Sequence, residues 1–213
     1  MSVAAHIDHT LLRPDAAPAD IDRLCNEAVT NGFAAVCVPP YYVRRVARRL
    51  EDSAVQTATV IGYPTGYQHV SVKVAEIQRA IQDGADELDV VVNIAAIKSG
   101  AWNDVERDLD SCTRAVHLHG RVIKLIVEAT LLTEAELETI CRLAAASGVN
   151  YVKTSTGYEG GADLKTVQML RSCLPASIKI KASGGIRTPE AASALLAAGA
   201  DRLGSSAGVS LLA

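Results

Sequence analysis

Aromatic residues are scarce in this 213-residue chain: one Phe, one Trp and six Tyr, 4% of the total. A core built without them must come from Ala, Val, Ile and Leu, as in layered α/β folds with buried parallel strands. An excess of charge of one sign is missing too. The formal net charge is −3, from 21 Lys and Arg against 24 Asp and Glu. No basic block offers itself to nucleic acid, and no acidic tail suggests disorder. No apolar run reaches the ~18 residues of a membrane span, so no membrane partner is expected. The opening MSVAAHIDHT lacks a basic region followed by an apolar stretch, so no secretory signal is expected. The five cysteines (Cys25, Cys37, Cys112, Cys141, Cys173) are odd in number and include no Cys-x-x-Cys pair. That argues against a disulfide framework or structural zinc and for reduced thiols in a cytoplasm. Cys37, in an apolar run, reads as a small buried hydrophobe. His117 and His119 lie two apart in a helical segment and share no face. With only His6 and His9 as another near pair, no metal site is expected.

What the chain does have is a regular alternation. Eight short, mostly β-branched runs occur: around His6–Thr10, then 34–38, 56–62, 87–92, 121–128, 150–155, 177–183 and 201–206. Between them lie amphipathic segments with helix signals. Ala19–Thr30 runs into Asn31-Gly32, a C-cap pattern. Thr133-Glu134-Ala135-Glu136 reads as a capping box opening a helix that closes at Ser147-Gly148. Thr188-Pro189-Glu190 puts Pro at a first helical position, with a stop at Gly199. The phrases NGFAAV, DGADEL, SGVNYV and AGADRL recur, each ending a helix at Gly and starting a buried strand. Strand–helix alternation with short joints means parallel strands and helical crossovers. Eight such units predict a single (β/α)8 TIM barrel over residues 1–213, with short loops and a short N-terminal lead-in. An open doubly wound sheet is the alternative. The chain lacks the Gly-rich turn that a dinucleotide would need after the first strand.

Strand alternation then sorts the polar residues. Lys153 and Ser155 share one face of 150–155. Lys179, Lys181 and Ser183 share one face of 177–183, Asp89 and Val91 one face of 87–92, and Lys124, Ile126 and Glu128 one face of 121–128. The apolar alternates would pack under helices, and the polar ones would meet inside the barrel. There they must pair, because buried charges are costly alone. Barrel chemistry sits at the C-terminal ends of strands. Lys153 and Lys181 lie near strand ends, Lys179 lies deeper and reads as structural, and Lys124 starts its strand with Asp89 in reach. A lysine ammonium has a pKa near ~10.4. A second cation and desolvation lower it, and the neutral amine can attack a carbonyl. Asp89 would do the accompanying acid–base work. Thr154, Ser155 and Thr156 could order water or substrate hydroxyls.

Two Gly-rich turns follow the last two strands, Lys181-Ala-Ser-Gly-Gly-Ile-Arg187 and Leu203-Gly-Ser-Ser-Ala-Gly-Val209. Barrels often hold phosphate there on backbone N–H groups. Gly184, Gly185, Gly204, Ser205 and Ser206 suit that. The residues alone therefore predict a lyase or isomerase acting on a small phosphorylated carbonyl compound through a lysine Schiff base. A non-catalytic phosphosugar-binding barrel is the competing reading.

YVKTSTGY (151–158), IKIKASGGIRT (178–188), ADELDVVVN (85–93), IDHTLL (7–12), CVPPYYV (37–43), VIGYPTG (60–66) and RLGSSAGV (202–209) together resemble the deoxyribose-phosphate aldolase family, in its order and over nearly the whole chain. The resemblance implies a class I aldolase that reversibly cleaves 2-deoxy-D-ribose 5-phosphate to acetaldehyde and D-glyceraldehyde 3-phosphate without metal or cofactor. A lysine-dependent aldolase for another sugar phosphate is the near alternative. By position, the resemblance implies Lys153 as the Schiff-base lysine, Lys181 as the lysine that perturbs it and Asp89 as the proton relay. It implies Asp8, Thr10, Lys124 and Thr156 on the substrate side. It puts Gly157, Gly184, Gly185, Arg187, Gly204, Ser205 and Ser206 on the phosphate side, and a homo-oligomer of two or more chains. The chain departs from the family at Tyr158, where some members carry a lysine, and at Ala207 in the last turn.

Overall fold

Eight parallel strands close on themselves in chain order, each hydrogen-bonded to the next and the last to the first. The structure is a computed structural model and describes residues 3–212. The strands are β1 (Ile7–Thr10), β2 (Ala35–Val38), β3 (Gln56–Ile61), β4 (Glu87–Val91), β5 (Val122–Ile126), β6 (Tyr151–Lys153), β7 (Lys179–Ser183) and β8 (Arg202–Ser205). Each falls inside one of the eight runs read from sequence. The helices are α1 (Pro18–Asn31), α2 (Val43–Leu50), α3 (Val70–Gln82), α4 (Ile94–Lys98), α5 (Trp102–His117), α6 (Glu134–Ser147), α7 (Leu164–Cys173) and α8 (Pro189–Ala197). Two of them, α4 and α5, share the β4–β5 crossover. After β8 the described chain has only a 3-10 turn at Gly208–Leu212, and the lead-in is another at Val3–His6.

The expected helix signals act as such. Thr133 and Glu136 form the reciprocal capping box of α6, whose C-terminus turns on Gly148 at φ 73°. Thr188 Oγ1 accepts from Ala191 N at 3.2 Å, and Pro189 opens α8. α1 stops at Gly32 in the left-handed region.

The large apolar core lies outside the strand ring. It joins the outward strand residues Val36, Leu88, Val90, Ile123, Leu125, Val152 and Ile180 to buried helix residues such as Ile21, Ile77, Leu109, Ile140 and Val167. Burying one such side chain stabilises by about 1.5–3 kcal/mol. A small separate cluster, Ala35, Cys37, Ala58 and Val60, fills the inner face of β2 and β3. Burial pushes the Cys37 thiol up, consistent with a small buried hydrophobe. No helix among the described residues is long and apolar enough to cross a membrane.

Register decides which inward residues meet. Asp89 sits opposite Lys124 across β4–β5, and Lys153 sits opposite Lys181 across β6–β7. Asp8 pairs with Gly204 across the closing seam of β1 and β8.

Candidate active site

Because β6 is only three residues long, Lys153 ends it, and its amine meets what neighbouring strands turn inward. Lys153 Nζ donates to Asp89 Oδ2 at 2.8 Å. The same oxygen accepts from Lys181 Nζ at 2.7 Å, while Asp89 Oδ1 accepts from Lys124 Nζ at 2.9 Å. Lys181 also lies 2.5 Å from Asp8 Oδ2. Lys124 lies 2.6 Å from Glu87 Oε2 and 3.3 Å from Asp8 Oδ2. Arg202 joins Asp8 at 2.6 Å and Glu87 at 3.1 Å. Three carboxylates thus face four cations. With Lys153 neutral, the set balances.

The electrostatics follow from that count. Burial pulls Lys153 down; Asp89 works against this and Lys181 reinforces it, and the net direction is down. Burial also pulls down Lys181 and Lys124, but Asp8 and Asp89 more than reverse it, holding Lys181 above and Lys124 well above the ordinary lysine value. Burial pushes the Asp89 carboxyl up, yet Lys124, Lys153 and Lys181 outweigh it and hold the group well below the carboxylate range. Asp8 moves the same way, its burial outweighed by Lys124, Lys181 and Arg202. One amine in the ring therefore sheds its proton most readily, and it is at a strand end.

Above this ring opens a cavity of ≈ 360 Å³. Thr10, Thr156, Gly157, Gly184, Gly185, Arg187, Gly204, Ser205 and Ser206 all border it. Asp8, Asp89, Lys124, Lys153 and Lys181, all buried, lie outside its wall. Gly204 is the partition. A Cβ there would come 2.6 Å from Ser183 Oγ and 3.1 Å from Lys181 Cε, so glycine lets the last turn lie against both side chains as they stand. Gly184, at φ 93°, would press a Cβ 2.8 Å from Gly161 Cα, so the β6–α7 and β7–α8 loops touch backbone to backbone. Ser205 Oγ donates to Ile186 O at 2.7 Å and accepts from Ala207 N at 3.0 Å, tying the two last turns together. Arg187 stands exposed at the rim.

Several placements differ from strand-period expectation. Lys179 does not join the interior charges; it lies exposed at the N-terminal rim with its amine 5.5 Å above the Tyr151 ring. Lys124 is third in β5 rather than first, which brings it between three carboxylates. Alternation stops at Lys153, so Thr154 and Ser155 brace the loop: Thr154 Oγ1 accepts from Ser183 N at 3.1 Å, and Ser155 Oγ donates to Thr154.

Sequence reasoning missed Glu87 and Arg202. The signal was present, since period 2 puts Glu87 with Asp89 and Arg202 with Gly204. Arg13 and Tyr63, which also border the cavity, carried no such signal. Glu128 was on the right face, but its bonds to Thr156 were not foreseen. Lys73 was missed as well. It is a fully buried α3 lysine that donates to Val91 O at 2.9 Å and Asp108 Oδ2 at 2.8 Å, pinning the end of the strand that carries Asp89. Among the described residues, no group of three or more His, Cys, Asp or Glu side chains is arranged to hold a metal ion.

Residues 2–212 match the family model described as DeoC/LacD family aldolase. The deoxyribose-phosphate aldolase of Desulfitobacterium hafniense (strain DSM 10664 / DCB-2) is 46% identical over 213 residues, all of this chain and 98% of that one. That of Thermococcus gammatolerans is 44% identical, over all of this chain and 96% of its own. A crystal structure of a putative deoxyribose-phosphate aldolase from Coccidioides immitis superposes with a TM-score of 0.94 at 40% identity, over 99% of this chain and 84% of that one. The deoxyribose phosphate aldolase of Aeropyrum pernix, described as having a unique tetrameric structure, superposes at 0.92 with 35% identity, over 99% and 89%.

Proposed function

Given that the chain belongs to the DeoC/LacD family of aldolases, we propose that it cleaves 2-deoxy-D-ribose 5-phosphate reversibly to acetaldehyde and D-glyceraldehyde 3-phosphate through a Schiff base on Lys153. The observation that carries this is the amine itself. Lys153 is buried, its proton is destabilised, and it donates to a carboxylate that also holds the charged Lys181. Relatives at 46% and 44% identity carry the name deoxyribose-phosphate aldolase.

Neutral Lys153 Nζ attacks the open-chain aldehyde carbon, and loss of water from the carbinolamine leaves an iminium. The hydroxyl on C3 gives up its proton, the C2–C3 bond breaks, and its electrons pass into the iminium to leave a neutral enamine. Glyceraldehyde 3-phosphate departs. Protonation of the enamine at C2 and addition of water release acetaldehyde and restore the amine. Lys181, held charged, is the donor in this relay, and Asp89, held ionised, is the acceptor. Thr10 and Thr156 face substrate hydroxyls. The phosphate rests on the backbone of Gly157, Gly184, Gly185 and Gly204, with Ser205, Ser206 and Arg187 as further donors. Asp8 and Lys124 act on the substrate through the charge ring. The chain works as a homo-oligomer, as the tetrameric relative suggests, and in a cytoplasm, where five unpaired thiols stay reduced.

Borohydride reduction in the presence of acetaldehyde, followed by peptide mass mapping, tests the reading. A two-carbon adduct is expected on Lys153. A folded protein that takes no adduct would be a phosphosugar-binding barrel without this chemistry.

A further inference from the structure

Glu128 is the one non-glycine residue among those described with a left-handed backbone, at φ 50° and ψ 60°. That conformation is strained for a residue with a side chain and persists only where surroundings over-determine it. Here they do. The residues on either side are tied to the end of β6: Val127 N donates to Lys153 O at 3.0 Å and Ala129 N to Thr154 O at 2.9 Å. The kink turns the side chain, 1% exposed, onto the neighbouring loop. Glu128 Oε2 accepts from Thr156 N at 3.2 Å and from the Thr156 hydroxyl. The next backbone amide but one, Tyr158 N, donates to that hydroxyl oxygen at 3.1 Å, and Thr156 O accepts from Tyr63 OH at 2.9 Å. Every polar atom of Thr156 is therefore engaged, and two of them depend on one carboxylate.

We infer that Glu128 is a positioning residue that holds Thr156 and the adjoining Gly157 at a set distance from Lys153 and sets the polarity of the Thr156 hydroxyl. The inference rests on the aldolase reading above. A hydroxyl has one proton and two lone pairs. Glu128 takes the proton and Tyr158 N takes one lone pair, so the remaining lone pair can only accept. Thr156 thus offers the substrate an acceptor. It favours a ligand hydroxyl, which donates, and disfavours a carbonyl or phosphate oxygen at that spot. The same carboxylate fixes the loop whose Gly157 borders the cavity.

The test compares wild type with Glu128→Gln and Thr156→Val, separately and combined. An amide keeps the shape and can still accept from Thr156 N, but it also brings two N–H donors. Those compete with the hydroxyl and free it to rotate. Misplacement of a positioning group by about 1 Å costs roughly 10²-fold. Glu128→Gln is expected to lower kcat/KM on 2-deoxyribose 5-phosphate by about 10- to 100-fold. Borohydride trapping of acetaldehyde on Lys153, which needs no loop contact, should stay at the wild-type rate. The combined variant should lose little more than Thr156→Val alone, because the two residues act as one unit. Glu128→Asp should recover part of the loss if the carboxylate is what matters. Unchanged kcat/KM in Glu128→Gln, additive losses, or an equal fall in acetaldehyde trapping would each overturn the inference. Should Glu128→Gln fail to fold, Thr156→Ser and Thr156→Val decide it: serine must keep most activity and valine must lose it, and equal activities in the two refute the role. Failure of the aldolase reading looks different, since wild type itself would then neither turn over nor trap.

Discussion

The two buried layers of this barrel obey opposite rules. Outside the strand ring, side chains such as Leu88, Ile123 and Val152 are apolar and pack under helices. Inside it, over most of the circumference, are seven charged groups at ion-pair distances, while the β2–β3 side is lined by the small apolar cluster of Ala35, Cys37, Ala58 and Val60. The outer layer holds the molecule together by area. The inner layer is a standing cost, because a buried ion pair is weak evidence for stability but a strong means of setting proton affinity. The difference is testable by taking single residues out of each layer.

The largest effect should come from Lys153→Met. Turnover is expected to fall on the order of 10⁴-fold or more, as when a nucleophile is lost. The urea midpoint should not drop, since three carboxylates are left facing three cations. Residual turnover near wild type would break the assignment. Lys124→Met is the inverse case. It strips the shared cation from Asp8, Glu87 and Asp89, and stability should fall by about 3–5 kcal/mol. Leu88→Ala in the outer layer should cost a comparable 2–5 kcal/mol, roughly. The two differ in their dependence on pH. Asp8 and Asp89 are held below their unfolded value of about 3.9, so their contribution is full above that pH and is lost as pH falls. The Lys124→Met penalty should therefore shrink in acid, while that of Leu88→Ala should not; parallel urea melts from pH 3 to 7 would show it. Lys181→Leu comes next. Removing a neighbouring cation raises the proton affinity of Lys153, so the rising limb of the pH–rate profile should move upward, and an unmoved limb would remove Lys181 from that role. Smallest of all is Lys179→Gln, two residues away on the same strand but exposed. Its melting midpoint and pH profile should stay at wild type, within about 0.5 kcal/mol.

The contrast between Lys179 and Lys181 also shows what the sequence could and could not reveal. Period 2 places both on one face of β7 and says nothing of depth. The C-terminal-end rule separates them by depth, and in the structure Lys181 is buried against Asp89 while Lys179 is exposed. The fold was legible because each unit announces itself locally, by a helix stop at Gly and a buried strand soon after; the capping box at Thr133 and the stop at Gly148 are two such marks. The cavity's glycines and serines were legible for the same reason. Arg202 and Glu87 were hidden in plain alternation. Lys73 was not legible at all, because a lysine in an amphipathic helix reads as solvated surface until tertiary packing buries it. The turn at Glu128 was equally silent, since left-handed backbone is signalled by glycine and here a carboxylate holds it instead.

The ring's partners are far apart along the chain: Asp8 meets Lys181 and Arg202, and Asp89 meets Lys153 and Lys181. None of these contacts can form within a single βα unit. Without those partners, Lys153 is an ordinary hydrated ammonium with a pKa of ~10.4. The lowered proton affinity of Lys153 comes first from burial and is reinforced by Lys181 on β7, so it belongs to the assembled barrel. On the proposed reading, the amine that attacks substrate is therefore made by the fold as a whole and not by the strand that carries it.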